Sequence, residues 1–292
     1  MVKGNNEYLK FSKSQCGNKM TQMESRQVQI DMLDNLVEFC DKHGLRYFLS
    51  GGTLLGAIRH KGFIPWDDDI DINMPRPDCE RLFNLTKGRI GKYVLTMPDD
   101  DGFARCCESF RLYNFDTVIE SFVGGVARKH PVYHPIYIDI FPIEGLPQNN
   151  LILKLHYFKL LVCRKMLRVS ALKHMEGSNI LAHIFHLVTF VPAKIVGYRN
   201  WAHMLQKIAQ KYHFDEEDYI GVMTAPVHTV EERVKKKDYL DIVSVEFEGK
   251  MYHAPGNYDT YLSQLYGDYM KMPPLEKQKS HHEFNMYWRK KL

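Results

Sequence analysis

Four aspartates stand within five residues at Asp67, Asp68, Asp69 and Asp71, and a Gly51-Gly52 pair lies shortly upstream. Between them sit Arg59, His60 and Lys61. Glycines let backbone N–H groups approach a phosphate, basic side chains offset its charge, and carboxylate oxygens hold the hard divalent cations that phosphate chemistry uses. If residues 67–72 are extended, Asp67, Asp69 and Asp71 share one face while Ile70 and Ile72 pack on the other. Carboxylates two residues apart on a strand are roughly 6.6 Å apart at Cα, close enough to converge on one cation or a pair. The competing reading is a solvated acidic turn. Core positions at Ile70 and Ile72 favour ordered carboxylates.

These side chains need a strand and a helix to position them. Residues 45–50 are strand-like, Gly51-Gly52 breaks the strand, and Thr53 is a candidate N-cap for a helix over 54–59. Such a helix start turns free N–H groups and the positive dipole end toward an anion. Neither GxxxxGK[ST] nor GxGxxG occurs, so P-loop and Rossmann readings do not apply. Taken alone, Arg59, His60 and Lys61 are a solvated helix end; beside an acidic strand they become phosphate-contact candidates. A further acid, Asp139, is embedded in the apolar run Ile136-Tyr-Ile-Asp-Ile-Phe141. An unpaired charge there is expensive, which implies a metal or a cationic partner, or else an Asp that caps backbone N–H groups.

The stretch Ser-Gly-Gly-Thr-Leu-Leu-Gly-Ala-Ile-Arg-His-Lys-Gly-Phe-Ile-Pro-Trp-Asp-Asp-Asp-Ile-Asp-Ile over residues 50–72 resembles the signature of the LicD family of phosphocholine transferases, whose relatives fukutin and fukutin-related protein transfer ribitol phosphate. Tyr-Ile-Asp-Ile-Phe-Pro-Ile-Glu-Gly-Leu-Pro over 137–147, the tyrosine-rich segment 257–270, Pro273-Pro274 and His281-His282 agree with it. The resemblance implies an α/β (α+β) nucleotidyltransferase core of the polymerase-beta type, with a mixed sheet and an appended helical segment. It assigns Gly51 and Gly52, flanked by Ser50 and Thr53, to the phosphate turn. Asp69, Asp71 and Asp139 become the catalytic and metal-binding acids for Mg²⁺ or Mn²⁺. Arg59, His60, Lys61 and Arg111 become phosphate or nucleotide contacts, and Trp66, Asp67, Asp68, His281 and His282 donor or acceptor contacts. One departure is Ser109 where relatives often carry a lysine, in the strand Ser109-Phe-Arg111. The implied reaction moves a phospho-alcohol, phosphocholine first among them, from CDP-choline or a related CDP-alcohol to a sugar hydroxyl of a surface glycan on a lipid carrier, releasing CMP. Two alternatives stand beside it: NMP transfer from an NTP to a small acceptor, and a non-enzymatic glycan-binding subunit.

With 292 residues and a formal charge of +4, the chain has neither the basic excess nor the motifs of a nucleic-acid binder. Six cysteines without a CxxC pair argue against a zinc ribbon or a disulfide scaffold. The polar segment 1–25 lacks an apolar signal-peptide core, so a cytoplasmic enzyme is expected, peripheral at the inner face of the cell membrane.

The expected organisation is a flexible N-terminus over 1–24, a catalytic core over 25–147, a helical insertion over 148–215 and a mixed C-terminal part over 216–292. Within it we expect helices over 24–43 and from Pro77, strands near 92–97, 105–112, 116–122 and 136–141, and a hairpin turning at Glu248-Gly249. The insertion interleaves apolar and basic residues, which suits either helices buried against the core or basic amphipathic helices on an anionic membrane. Tyrosines at 252, 258, 261, 266, 269 and 287 either pack structurally or cage a quaternary ammonium through cation–π attraction.

Overall fold

The computed structural model describes residues 11–98, 108–122, 131–171, 180–226, 228–280 and 284–290, with side chains from 188 onward in the segment that starts at 180. Its elements in chain order are β1 (Cys16–Lys19), α1 (Gln22–His43), β2 (Phe48–Leu49), α2 (Gly51–His60), β3 (Asp71–Pro75), α3 (Arg76–Thr86), β4 (Arg89–Ile90), β5 (Tyr93–Thr96), β6 (Phe110–Ser121) and β7 (Val132–Leu146). There follow α4 (Asn150–Ala171), α5 (Ile180–Val196), α6 (Tyr198–Ala209), β8 (Tyr219–Val222), β9 (Val234–Lys235), α7 (Lys236–Tyr239), β10 (Ile242–Phe247), β11 (Lys250–Pro255), α8 (Tyr258–Tyr266) and β12 (Phe284–Arg289). The class is mixed α/β. The chain divides into two compact units, 1–142 with 237–292, and 143–236.

In the first unit the sheet runs β1-β12-β6-β7-β3-β2. The long β6 pairs through residues 111–113 with β5 and through 117–121 with β12, and an irregularity between Asn114 and Ile119 joins the halves. What reads in sequence as two strands is therefore one bulged strand. Helix α1 begins at a capping box, in which Thr21 Oγ1 accepts from the Glu24 N–H while Glu24 accepts from the Thr21 N–H. It stops at Gly44, whose φ of 61° suits glycine. Met32, Leu33, Leu36, Leu49, Leu54, Ile70, Ile72, Leu112, Ile138 and Ile140 are fully buried and form the core. The β10–β11 hairpin turns at Glu248 and Gly249, both at positive φ, as expected.

Two local expectations fail. The strand β3 starts only at Asp71, so Asp67, Asp68 and Asp69 lie in an irregular loop after the Pro65-Trp66 turn and not on one face of a strand. The reason is long-range: Arg26 of α1 donates to the carbonyls of Ile64, Pro65 and Asp67 at 2.9, 3.1 and 2.9 Å, and Gln29 donates to that of Asp68 at 3.0 Å. Side chains satisfy this backbone up to Asp68, and β7 takes over at Ile70, whose carbonyl accepts from the Asp139 N–H at 3.3 Å. Second, α2 begins at Gly51 and not after Thr53, and Thr53 caps nothing; its hydroxyl accepts from the Asp71 N–H at 2.9 Å.

In the second unit Ile143–Leu146, the end of β7, pairs with β8, which pairs with β9. The helices α4, α5 and α6 accompany them, with Leu153, Leu160 and Leu205 buried. The Tyr157 hydroxyl donates to the Val222 carbonyl at 3.2 Å, and Lys194 donates to the Ser170 carbonyl at 3.0 Å. No helix among the described residues is long and apolar enough to cross a membrane.

Candidate functional site

Antiparallel pairing of Leu49 with Ile72 puts the exit of β2 beside the start of β3. The Ser50 N–H donates to the Asp71 carbonyl at 3.1 Å, and the Ser50 carbonyl accepts from the Leu54 N–H at 2.9 Å. Asp71 is thereby fixed through its backbone on both sides, by Ser50 and by Thr53, at the N-terminal end of α2.

The Gly51-Gly52 turn is shaped by carboxylates. A Cβ on Gly51, whose φ is +51°, would lie 3.3 Å from Asp71 Oδ2 and 3.9 Å from the Tyr266 hydroxyl. A Cβ on Gly52 would lie 2.5 Å from Asp67 Oδ2, so only glycine leaves room for that carboxylate. Asp67 and Asp71 thus flank the first turn of a helix whose free N–H groups favour anions.

The acids crowd one another. Asp67, Asp68 and Asp69, all half-buried, each offer a carboxylate oxygen, and the three oxygens lie within 4.8 Å of one another. Burial pushes the Asp71 carboxyl well above the usual carboxylate range; Asp69, Asp139 and Asp67 push it further, and Arg111 opposes them. Such a set of hard oxygen donors, charged against one another, fits a divalent cation of the Mg²⁺ or Mn²⁺ type. The clustered trio is 67, 68 and 69, whereas the sequence pointed to 69, 71 and 139. Asp71 and Asp139 join it through electrostatics.

The β6–β7 register sets Arg111 directly opposite Asp139. The guanidinium binds the carboxylate at both ends, Nε to Oδ1 at 2.6 Å and the terminal nitrogen to Oδ2 at 3.2 Å. Ser109, two residues earlier and just ahead of β6, donates to Oδ1 at 2.5 Å. The cationic partner that Asp139 demanded is Arg111, and Ser109 at the departed position reaches that same carboxylate. Arg111 also stacks 4.0 Å above the centre of the Tyr137 ring, and burial raises the Tyr137 phenol. His134, beside Tyr137, is lowered to about 4, chiefly by burial.

Arg59, His60 and Lys61 are held apart from this turn. They end α2, roughly 14 Å along its axis from Gly51 at 1.5 Å per residue. Arg59 donates to the Tyr269 carbonyl and to the His60 ring, both at 2.9 Å, and burial lowers both side chains' pKa. Lys61 closes the helix in the left-handed conformation, exposed. Trp66 is half-buried in the turn before the acids. His281 and His282 lie outside the described residues; Ser280, just before them, donates to Asp68 Oδ2 at 3.1 Å.

The tyrosines form no common cage. Tyr252 donates to Asp34, Tyr261 accepts from Asn73, Tyr269 donates to Asp259 and Tyr287 donates to Glu120. Each is bound to a separate partner, and Tyr266 alone of the set faces Gly51. Residues that the motif did not reveal are Arg26 and Gln29, which hold the acidic loop, and Glu248. Glu248 accepts from the Phe63 N–H at 2.9 Å and packs against Gly62. The hairpin signal at Glu248-Gly249 marked the turn but not its target.

Residues 44–159 match the family model described as LicD/FKTN/FKRP, nucleotidyltransferase domain. The chain is 32% identical over 275 residues to the lipopolysaccharide cholinephosphotransferase LicD of Haemophilus influenzae, covering 90% of this chain and 97% of that protein. It is also 46% identical over 50 residues to the human ribitol 5-phosphate transferase FKRP, covering 16% of this chain and 10% of that one. An uncharacterized Rickettsia prowazekii protein, RP689, matches at 49% over 41 residues, 14% of this chain and 15% of that protein.

Proposed function

We propose, from the premise that this chain belongs to the LicD family, that it transfers phosphocholine from CDP-choline to a sugar hydroxyl of a surface glycan on a nucleotidyltransferase fold. The observation that carries the phosphate chemistry is the pressing of Asp67 and Asp71 against the Gly51-Gly52 turn. Phosphocholine and a lipopolysaccharide-type acceptor rest on the Haemophilus relative, which aligns nearly end to end.

The backbone N–H groups at the start of α2 receive the diphosphate of the donor, where the helix dipole favours negative charge. Asp67, Asp68, Asp69 and Asp71 would hold Mg²⁺ or Mn²⁺, which supplies neutralisation of phosphate charge and lowers the pKa of a bound hydroxyl. The acceptor oxygen forms a bond to the distal phosphorus. The bond from that phosphorus to the bridging oxygen breaks, and CMP leaves with the electron pair. A carboxylate of the cluster accepts the hydroxyl proton, and Arg111, aligned by Asp139 and Ser109, offsets charge developing on the phosphoryl oxygens. Thr53 and Ser50 keep Asp71 at the Gly51-Gly52 turn, and Arg26 and Gln29 hold the backbone of Asp67 and Asp68 in place.

The FKRP match over 50 residues favours ribitol phosphate as the second choice of transferred group. Incubation with a panel of CDP-alcohols and a glycan acceptor, followed by mass spectrometry, tests the reading. The expected result is a phosphocholine adduct with equimolar CMP. Release of pyrophosphate from CTP, with an NMP adduct, would replace it by nucleotidyl transfer.

A further inference from the structure

Helix α4 is apolar on two opposite faces. Leu153, Tyr157, Leu160, Cys163 and Leu167 are buried within the second unit. On the other side Leu151, Leu155, Phe158 and Val162 are 67, 52, 64 and 47% exposed. The spacing of 4, 3 and 4 stacks these four along one line of the helix, about 17 Å long at 1.5 Å per residue. Ile152 and Leu161, also exposed, lie further round the helix, about 100° and 80° to either side.

Charge borders this stripe on both sides. At roughly 100° per residue, the exposed Lys154 stands about 60° to one side of Leu151 and the exposed Lys159 about 80° to the other. No acid occurs anywhere in α4, which carries five lysines and arginines. A solvated helix face alternates charges of both signs and keeps large apolar groups inward; this face does neither. An apolar line between basic rows is the arrangement of a helix lying in a membrane interface, its aliphatic groups at the acyl boundary and its lysines reaching the headgroups.

We infer that the outer face of α4, centred on Leu155 and Phe158, docks on an anionic lipid bilayer and lies parallel to its plane. The charge complement selects a bilayer over an apolar protein groove, because lysines flank the apolar line without a single acid to pair with the rim of a protein partner. The inference is independent of the transfer chemistry.

The test uses the full-length protein and sedimentation with vesicles of phosphatidylcholine, with and without phosphatidylglycerol, at low and raised ionic strength. Binding is expected only to the phosphatidylglycerol vesicles, weakening with salt. Lys154→Ala and Lys159→Ala should each reduce the partition constant about fivefold, as expected for one basic side chain near an anionic surface. The double variant Leu155→Asp/Phe158→Asp should reduce it more than tenfold with an unchanged far-UV circular dichroism spectrum, since both side chains are exposed. Absence of wild-type binding at low salt overturns the inference, as does undiminished binding of the double variant. Light scattering that finds a wild-type dimer made monomeric by Phe158→Asp also overturns it, in favour of self-association. Because the readout needs neither donor nor metal, its failure leaves the transfer reading untouched.

Discussion

Gly52→Ala separates activity from stability. The new Cβ would lie 2.5 Å from Asp67 Oδ2, so reaching an ordinary 3.4 Å contact requires the carboxylate to move by about 0.9 Å. The Asp67 backbone cannot follow, because its N–H donates to the Ile64 carbonyl at 2.9 Å and its carbonyl accepts from Arg26 at 2.9 Å. The side chain must therefore rotate. An off-rotamer aspartate costs about 1 kcal/mol, and replacing a helical glycine by alanine gains about 1 kcal/mol, so the fold should be as stable as wild type. The catalytic consequence is different, since a displacement of about 1 Å in a positioned group can lower the rate about 10²-fold. The assay is CMP release from CDP-choline, set beside a urea unfolding curve of the same preparation. Turnover within about threefold of wild type would refute the placement of Asp67 in the site. A loss of more than about 2 kcal/mol in stability would show that the backbone, not the carboxylate, absorbs the clash.

Three further outcomes are expected. Arg26→Ala should lower stability by about 2–4 kcal/mol in urea, because it strips charge-assisted hydrogen bonds from the carbonyls of Ile64, Pro65 and Asp67, and turnover should fall with it. Arg111→Lys cannot reproduce the two-ended grip on Asp139 and should lower CMP release at least about tenfold with little change in the urea midpoint. His156 is buried beside Tyr212, and burial lowers its pKa to about 4, with Lys211 and Lys159 adding to the effect. The unfolded chain binds the proton first, so this contribution is complete above the ordinary pKa of 6.5 and is lost as pH falls toward 4. It amounts to about 3 kcal/mol at 1.36 kcal/mol per unit. In His156→Leu, urea midpoints measured across that window should vary less with pH than in wild type.

Much of the site was legible where the determinant is local. The Gly51-Gly52 break, the stop of α1 at Gly44 and the turn at Glu248-Gly249 each follow from what glycine alone permits. Asp139 stood out because an acid among apolar neighbours needs a partner. What escaped the sequence depends on contacts between distant segments. Residues 67–70 alternate like a strand, yet Arg26 and Gln29, some 40 positions upstream, bind the carbonyls of Asp67 and Asp68 and hold that stretch as a loop ahead of β3. The Arg111–Asp139 pair depends on a strand register that no single segment encodes. Helix α4 reads equally as a buried helix or as an amphipathic one at a membrane because both its faces are apolar, and only the packing reveals which face is left outside. The tyrosine-rich C-terminal region left structural packing and a cage both open, and hydrogen bonding to Asp34, Asn73, Asp259 and Glu120 favours packing.

The most direct test is CMP release from CDP-choline, with Mg²⁺ and a glycan acceptor, by wild type and Asp71→Asn. This substitution keeps the side-chain shape and the backbone contacts to Ser50 and Thr53 while removing the charge. Loss of turnover by about 10³-fold, with an unchanged urea midpoint, is the predicted result, since the charge stabilisation at such a site is worth several kcal/mol. Near-wild-type CMP release by the variant would contradict the assignment of these carboxylates and the Gly51-Gly52 turn as the transfer site.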